Sequence, residues 1–185
     1  MNKSVLLALA LNAVFWGGPA YAQTQVAPET HPVGDIPDSQ AFVQYTDAAG
    51  HYSLTVPEGW ARRKQGQQVS FTSKLGAVEM TSGKAAATPT VAGVKASTLP
   101  GLAKAIPNLK VTSVQAVRLP AGPAVLARFT SAGLPNPVTG KSLPMENDLY
   151  VLARQGQQLL VRFTAPLGAD NVDAWKQMAQ SIQWR

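Results

Sequence analysis

The sequence predicts an α+β fold: antiparallel strands linked by hairpins, with a closing helix laid on the sheet. Three observations predict it. Segments that alternate apolar and polar residues recur over 41–82 and again over 109–166, separated by Gly-, Asp- and Pro-containing turns. Val172, Trp175, Met178/Ala179 and Ile182 form an apolar stripe at helical spacing. Residues 90–106, between the two strand regions, carry a second such stripe.

The first 22 residues read as an export signal rather than as fold. Lys3 supplies a positive start, "VLLALALNAVF" an apolar run, and Gly17, Gly18 and Pro19 a break. "AYA" then places small residues at the −3 and −1 positions of a cleavage site, so cleavage is expected after Ala22. The run is too short to span a bilayer and no other run approaches a span, so a periplasmic or secreted protein is expected. Residues 23–40, with three prolines and almost no periodic apolar residue, read as a disordered or loosely attached leader. A single domain is expected over 41–185, a length that suits one core but not two.

Composition narrows the chemistry. The chain has no cysteine, which excludes disulfides, thiol chemistry, cysteine-ligated metal and acylation at a lipoprotein cysteine. Removing Lys3 with the signal leaves 15 basic against 10 acidic residues. That mild excess favours anionic surfaces without the clustering that specific nucleic-acid binding needs.

Along the domain, "AFVQYT" and "HYSLTV" flank the turn "DAAG", and Tyr52, Leu54 and Val56 alternate with His51, Ser53 and Thr55 to give one buried and one wet face. "QVSFTS" and "AVEMTS" form a further hairpin with Leu75-Gly76 near its turn. The segment over 90–106 predicts two short helical pieces, broken by Pro100-Gly101. "LKVTSVQAVRL", "PAVLARFTSA", "ENDLYVLARQ" and "QQLLVRFTAP" are strands. The tetrapeptide "QGQQ" occurs at 65–68 and at 155–158, and two hairpins of similar turn chemistry explain it better than a duplicated domain. In the closing helix Asp170 is the expected cap and Asp173 suits the first turn. Pro57 and Gly59 fit the second and fourth positions of a turn that Trp60 anchors to the core. Trp175 and Trp184 read as core anchors too.

Candidate chemistry is sparse. "TGKS" at 139–142 has the tail of a phosphate-binding loop, but Pro135 stands where that loop needs glycine and Pro144 forbids the following helix, so it reads as a hairpin loop. Asp47 and His51 flank one turn and could pair as base and orienter, yet no nucleophile or third metal ligand accompanies them. Glu146 and Asp148 share a strand face and could meet a hard cation, or simply face water. The basic residues are the best lead: Arg62, Arg63 and Lys64 follow Trp60, Arg128 and Arg162 each sit in "RFT", and Arg154 lies beside the second "QGQQ". Were these strands neighbours, the arginines could form a stripe able to meet carboxylates or phosphates bidentately.

"FVQYTDAAGHYSLTVPEGWARRKQGQQVSFTS", with its "Y-S-L-x-V-P-x-G-W" core, resembles the entry of the PsbP-like family. "YVLARQGQQLLVRFTAP" followed by "NVDAWKQMAQSIQW" resembles that family's last hairpin and closing helix. The family includes the extrinsic photosystem II subunit, the Mog-type Ran-binding import factor and exported bacterial proteins. The resemblance, over 41–185, implies a single antiparallel sheet flanked by helices, an α/β/α sandwich. It supplies no catalytic set or metal site, since no matching residue constellation is present. The expectation is therefore an exported, non-enzymatic binding or assembly factor without a cofactor, engaging a protein or an anionic envelope component. A small-ligand binder or hydrolase with a sheet–helix cleft is the alternative.

Overall fold

The computed structural model describes residues 32–49, 51–85 and 87–185, so the expected export signal and the first half of the expected leader lie outside the described residues. The elements run β1 (Phe42–Thr46), β2 (Tyr52–Pro57), β3 (Ala61–Gln65), β4 (Gln68–Thr72) and β5 (Ala77–Lys84). A helical stretch follows: α1 (Val91–Gly93), a π-helical turn (Val94–Thr98) and α2 (Leu99–Ala103). Then come β6 (Lys110–Leu119), β7 (Gly122–Ala132), β8 (Pro144–Arg154), β9 (Gln157–Pro166), α3 (Val172–Gln180) and the short β10 (Gln183–Trp184).

The expected single sheet is two. A seven-stranded antiparallel sheet has the order β3-β4-β5-β9-β8-β7-β6, and a three-stranded one the order β1-β2-β10. The physical reason lies in the area to be covered. The inner face of the larger sheet carries Val69, Phe71, Val78, Met80, Leu159, Val161 and Phe163, all buried. With nine residues, α3 spans only roughly 14 Å and cannot cover that width. The β1–β2 hairpin covers the rest, with Tyr45, Tyr52, Leu54 and Val56 joining Trp175 and Met178 of α3 in one core. Each such side chain contributes about 1.5–3 kcal/mol on burial.

β2 has no wet face. Ser53 is fully buried, its hydroxyl accepting from Arg185 Nε (3.1 Å), while Ser181 Oγ accepts from Thr55 N–H (2.7 Å). The end of α3 and the C-terminal residues thus cover the side that alternation assigns to solvent. Pro57 is the last residue of β2, and Gly59 has φ +80° at the third position of the turn rather than the fourth, where only a left-handed conformation fits.

The opposite face of the large sheet is covered only in part. Val125, Ala127, Phe129, Leu149 and Val151 pack under Val94, Leu99 and Ile106 of the helical stretch and the loop after it. Pro100 does not break that stretch. Lacking an N–H, it would clash with the carbonyl four residues back in a regular helix, and the preceding turn widens instead, with Leu99 N–H bonded to Val94 O. Pro100 then sits in the first turn of α2, where no donor is needed.

Part of the expected leader is fastened to the domain. Ile36 is 6% exposed within the main core, and its N–H donates to Asn171 Oδ1 (2.7 Å), while Asn171 Nδ2 donates to Gly34 O (3.1 Å). Asn171, not Asp170, is the N-cap residue of α3, and its side chain holds residues 34–36 instead of capping the helix. Asp173 lies in the first turn as expected.

The two "QGQQ" copies do close hairpins, but one residue out of step. In the second, Gln155 and Gly156 are the turn residues and both have positive φ (50° and 75°), the signature of a type I′ turn. In the first, the turn residues are Gly66 and Gln67 and only Gly66 is positive (φ 57°), as in type II′.

Candidate binding surfaces

Side chains alternate along a strand, so the pairing register assigns each basic candidate to a face. Arg62 lies opposite Phe71 and shares the inner face; its guanidinium carbon stands 5.2 Å from the centre of the Tyr45 ring, a cation–π contact. Lys64, opposite Val69, shares that face. Arg63 points to the other face, in one row with Ser70, Glu79 and Arg162. All five residues of β3 are exposed, and β3 is an edge of the sheet. Three consecutive cations on a short edge strand also discourage pairing with a foreign strand. This strand is absent from a reading by hydrophobic alternation because it has no buried position to reveal.

Arg128 and Arg162 do not form a stripe. β8 separates their strands, and the register places them on opposite faces: Arg128 opposite Asp148, Arg162 opposite Leu149 and Glu79. Each has a carboxylate. Arg128 Nε donates to Asp148 Oδ1 at 3.2 Å, with the Arg side chain 48% and the Asp 13% exposed. Arg162 Nε donates to Glu79 Oε2 (2.7 Å), Nη2 reaches the same oxygen, and Nη1 reaches Asn147 Oδ1 (3.4 Å). Asn147 is buried and shared four ways. It accepts from Thr164 Oγ1 (2.9 Å) as well, and donates to Ser131 Oγ (3.0 Å) and Phe129 O (3.4 Å). This network across β5, β9, β8 and β7 orders the part of the outer face that the helical stretch leaves uncovered. Arg154 is exposed at the β8–β9 hairpin, with β4, β5 and β9 between its strand and β3.

Among the described residues no hydrogen bond or ion pair joins Asp47 to His51. Asp47 Oδ2 accepts from Ala49 N–H (3.2 Å) within its own turn, and His51 is exposed, its carbonyl accepting from Arg185 N–H (3.0 Å). Glu146 and Asp148 do share the inner face of β8. Burial raises both carboxyls above their ordinary range; a Gly168 N–H opposes this at Glu146, and Arg128 opposes it at Asp148. Burial likewise raises the phenol of Tyr150, with Asp148 adding to the effect. The "TGKS" residues belong to the loop between β7 and β8, where Asn136 Oδ1 accepts from the N–H groups of Val138 (2.9 Å) and Thr139 (3.0 Å). Among the described residues no group of three or more His, Asp or Glu could hold a metal ion, and no helix is long and apolar enough to cross a membrane.

Two concavities stand out among the described residues. One, of about 270 Å³, lies beside Trp60 among Ile36, Pro37, Gln40, Lys74 and Leu75. The other, of about 420 Å³, is an apolar groove between the helical stretch and β6, lined by Lys95, Leu99, Pro100, Ala103, Leu109 and Val111. Neither is lined by Asp47, His51, Glu146 or Asp148. The groove has no counterpart in the sequence reading, since its two walls are joined only by tertiary packing.

No family model matches the sequence, and no curated protein is similar to it. Among solved structures, the chain is similar to cyanobacterial PsbP (CyanoP) from Synechocystis sp. PCC 6803, with a TM-score of 0.59 and 13% identity over 83% of this chain and 99% of that one. The fold is PsbP-like. The Ran-binding protein Mog1p of Saccharomyces cerevisiae shares it, with a TM-score of 0.54 and 9% identity over 78% of this chain and 96% of that one. Within the PsbP-like fold, "YSLTVPEGW" is the buried strand β2 with the turn after it, and "NVDAWKQMAQSIQW" is α3 with β10. The motif that carries the resemblance is therefore the one that seats the second sheet on the first.

Proposed function

We propose that the chain is an exported, non-enzymatic binding or assembly factor of the bacterial envelope that engages a protein or an anionic envelope component. The observation that carries the proposal is the β3 edge. Arg62, Arg63 and Lys64 are exposed side by side there, and among the described residues none of them has a carboxylate partner. Arg154 adds an exposed cation at the β8–β9 hairpin, whereas Arg128 and Arg162 share their charge with Asp148 and Glu79. A fold in common with a Ran-binding protein agrees with recognition of another protein through a sheet scaffold. An export signal at 1–22 would place that partner in the periplasm or outside the cell, and the mature chain would begin at Gln23. A cleft enzyme is the weaker reading, because the sheet–helix groove offers only Lys95 among titratable groups.

Affinity purification from crosslinked cells tests the proposal, comparing the wild type with an R62E/R63E/K64E variant. The expected result is a partner that co-purifies with the wild type from the exported fraction and is lost in the variant and at high salt. Recovery of no partner, together with no salt-sensitive binding to anionic vesicles or polyanions, would overturn it.

A further inference from the structure

The two edges of the large sheet differ. β3 is five residues long with three cations, a guarded edge. β6 is ten residues long and bears charge only at Lys110 and Arg118, leaving an uncharged run "VTSVQAV" over 111–117. Among the described residues no strand pairs with the outer side of β6. The pairing of β6 with β7 is irregular between Val111 and Ser113 and regular from Ser113 to Leu119, so most of this edge presents a row of backbone donors and acceptors, the template for adding one more strand. The apolar groove runs along the same edge, with Leu99, Pro100 and Ala103 on its helical wall and Leu109 and Val111 on the strand side. Val111 is 48% exposed there. A strand added to β6 would turn alternate side chains into this groove.

Charge identifies the occupant. Between Glu79 and Glu146 the chain has no carboxylate, while Lys84, Lys95, Lys104, Lys110, Arg118, Arg128 and Lys141 all fall in that interval. Lys95 lines the groove, and Lys104 and Lys110 each adjoin a lining residue in sequence. We propose that the β6 edge and its groove are a docking site for an extended segment of a partner protein, with apolar residues alternating with acidic ones. The segment extends the sheet through main-chain hydrogen bonds, places its apolar side chains between α2 and β6, and sets its carboxylates in the field of the lysines. This deepens the reading of the chain as a binding factor and rests on it, at a surface separate from β3.

The test uses the chain from Gln23 onward and a fluorescein-labelled peptide of about ten residues alternating valine and glutamate. A valine–lysine counterpart and a version with proline at alternate positions serve as controls. The glutamate peptide is expected to bind at least about tenfold more tightly than either control and to slow amide hydrogen exchange over 111–117 but not in β3. Lys95→Glu and Ala103→Glu, both at exposed helical positions, should each weaken it by about tenfold with the melting temperature unchanged. Equal binding of the valine–lysine peptide, or protection confined to β3, would overturn the proposal. So would tight binding to vesicles of anionic phospholipid in place of the peptide, or self-association that Ala103→Glu abolishes, since these assign the surface to a membrane or to a second copy. The outcome is independent of the R62E/R63E/K64E comparison. Loss of the β6 site leaves the β3 reading standing, and the reverse also holds.

Discussion

Arg162 shows why a charge's partner decides its meaning. Its carboxylate, Glu79, stands 83 residues away in the chain, and the two side chains are only 22% and 21% exposed. Nothing in "RFT" distinguishes this arginine from Arg128, which pairs with Asp148 on the other face; the difference is a matter of register. Removing one member leaves the other half-buried and uncompensated. Arg162→Met should therefore cost about 2 kcal/mol in urea denaturation. The double variant Arg162→Met/Glu79→Gln should cost less than the two single changes summed. Glu146 provides a second test. Its carboxyl is raised by burial, so the folded state favours the protonated form. The resulting stabilisation is present at low pH and is lost as pH rises from the ordinary value of 4.5 through the raised one. Glu146→Gln, neutral at every pH, should be more stable than the wild type at pH 7 and no different from it at pH 3, as read from melting curves at the two pH values.

Element identity was legible where apolar residues recur along a segment, even in β7 and β8, which are buried on both faces. The long strands β6 to β9, the β4–β5 hairpin and the closing helix follow from alternation and the apolar stripe. β3 shows no alternation because it is exposed on every side, so only the hairpin reading of the first "QGQQ" points to it, and the wet face of β2 was misassigned because Ser53 is buried and Thr55 half-buried, each hydrogen-bonded to the C-terminal residues. The cap of α3 was misplaced by one residue because Asn171 is engaged by Gly34 and Ile36, a contact no local rule contains. The paired "QGQQ" sequences make the same point. Identical residues close two hairpins in different registers, since the flanking strands and not the tetrapeptide set the alignment. Gln155 holds a left-handed conformation that glutamine adopts at a cost. Gln155→Asn, the residue type preferred in such turns, should raise stability by roughly 0.5–1 kcal/mol in thermal unfolding.

At the scale of the molecule, antiparallel architecture followed from the hairpins, whereas the division into two sheets did not. It depends on how much apolar sheet face α3 leaves uncovered, which is a property of the assembled core. The attachment of residues 34–36 is likewise a tertiary fact. Ile36→Ala should cost about 2–4 kcal/mol in urea denaturation, as a core position does and a free leader would not. The candidate site was legible in part. The Arg62–Lys64 cluster stands on a free edge, while the groove along β6 required the fold to bring α2 beside it. The absence of any carboxylate between Glu79 and Glu146 could be read directly from the sequence, yet it acquires meaning only beside that groove.

The central claim is that this chain works by binding a partner at a cationic sheet edge outside the cytoplasm. A photoreactive benzoylphenylalanine at Gln65, exposed at the end of β3, tests it in living cells against the same group at Gln180, exposed on α3. The account predicts a discrete higher-mass adduct from Gln65 in the exported fraction, absent from Gln180 and abolished by Arg62→Glu with Lys64→Glu. An equal yield of adducts from both positions, or no adduct at Gln65, would contradict it.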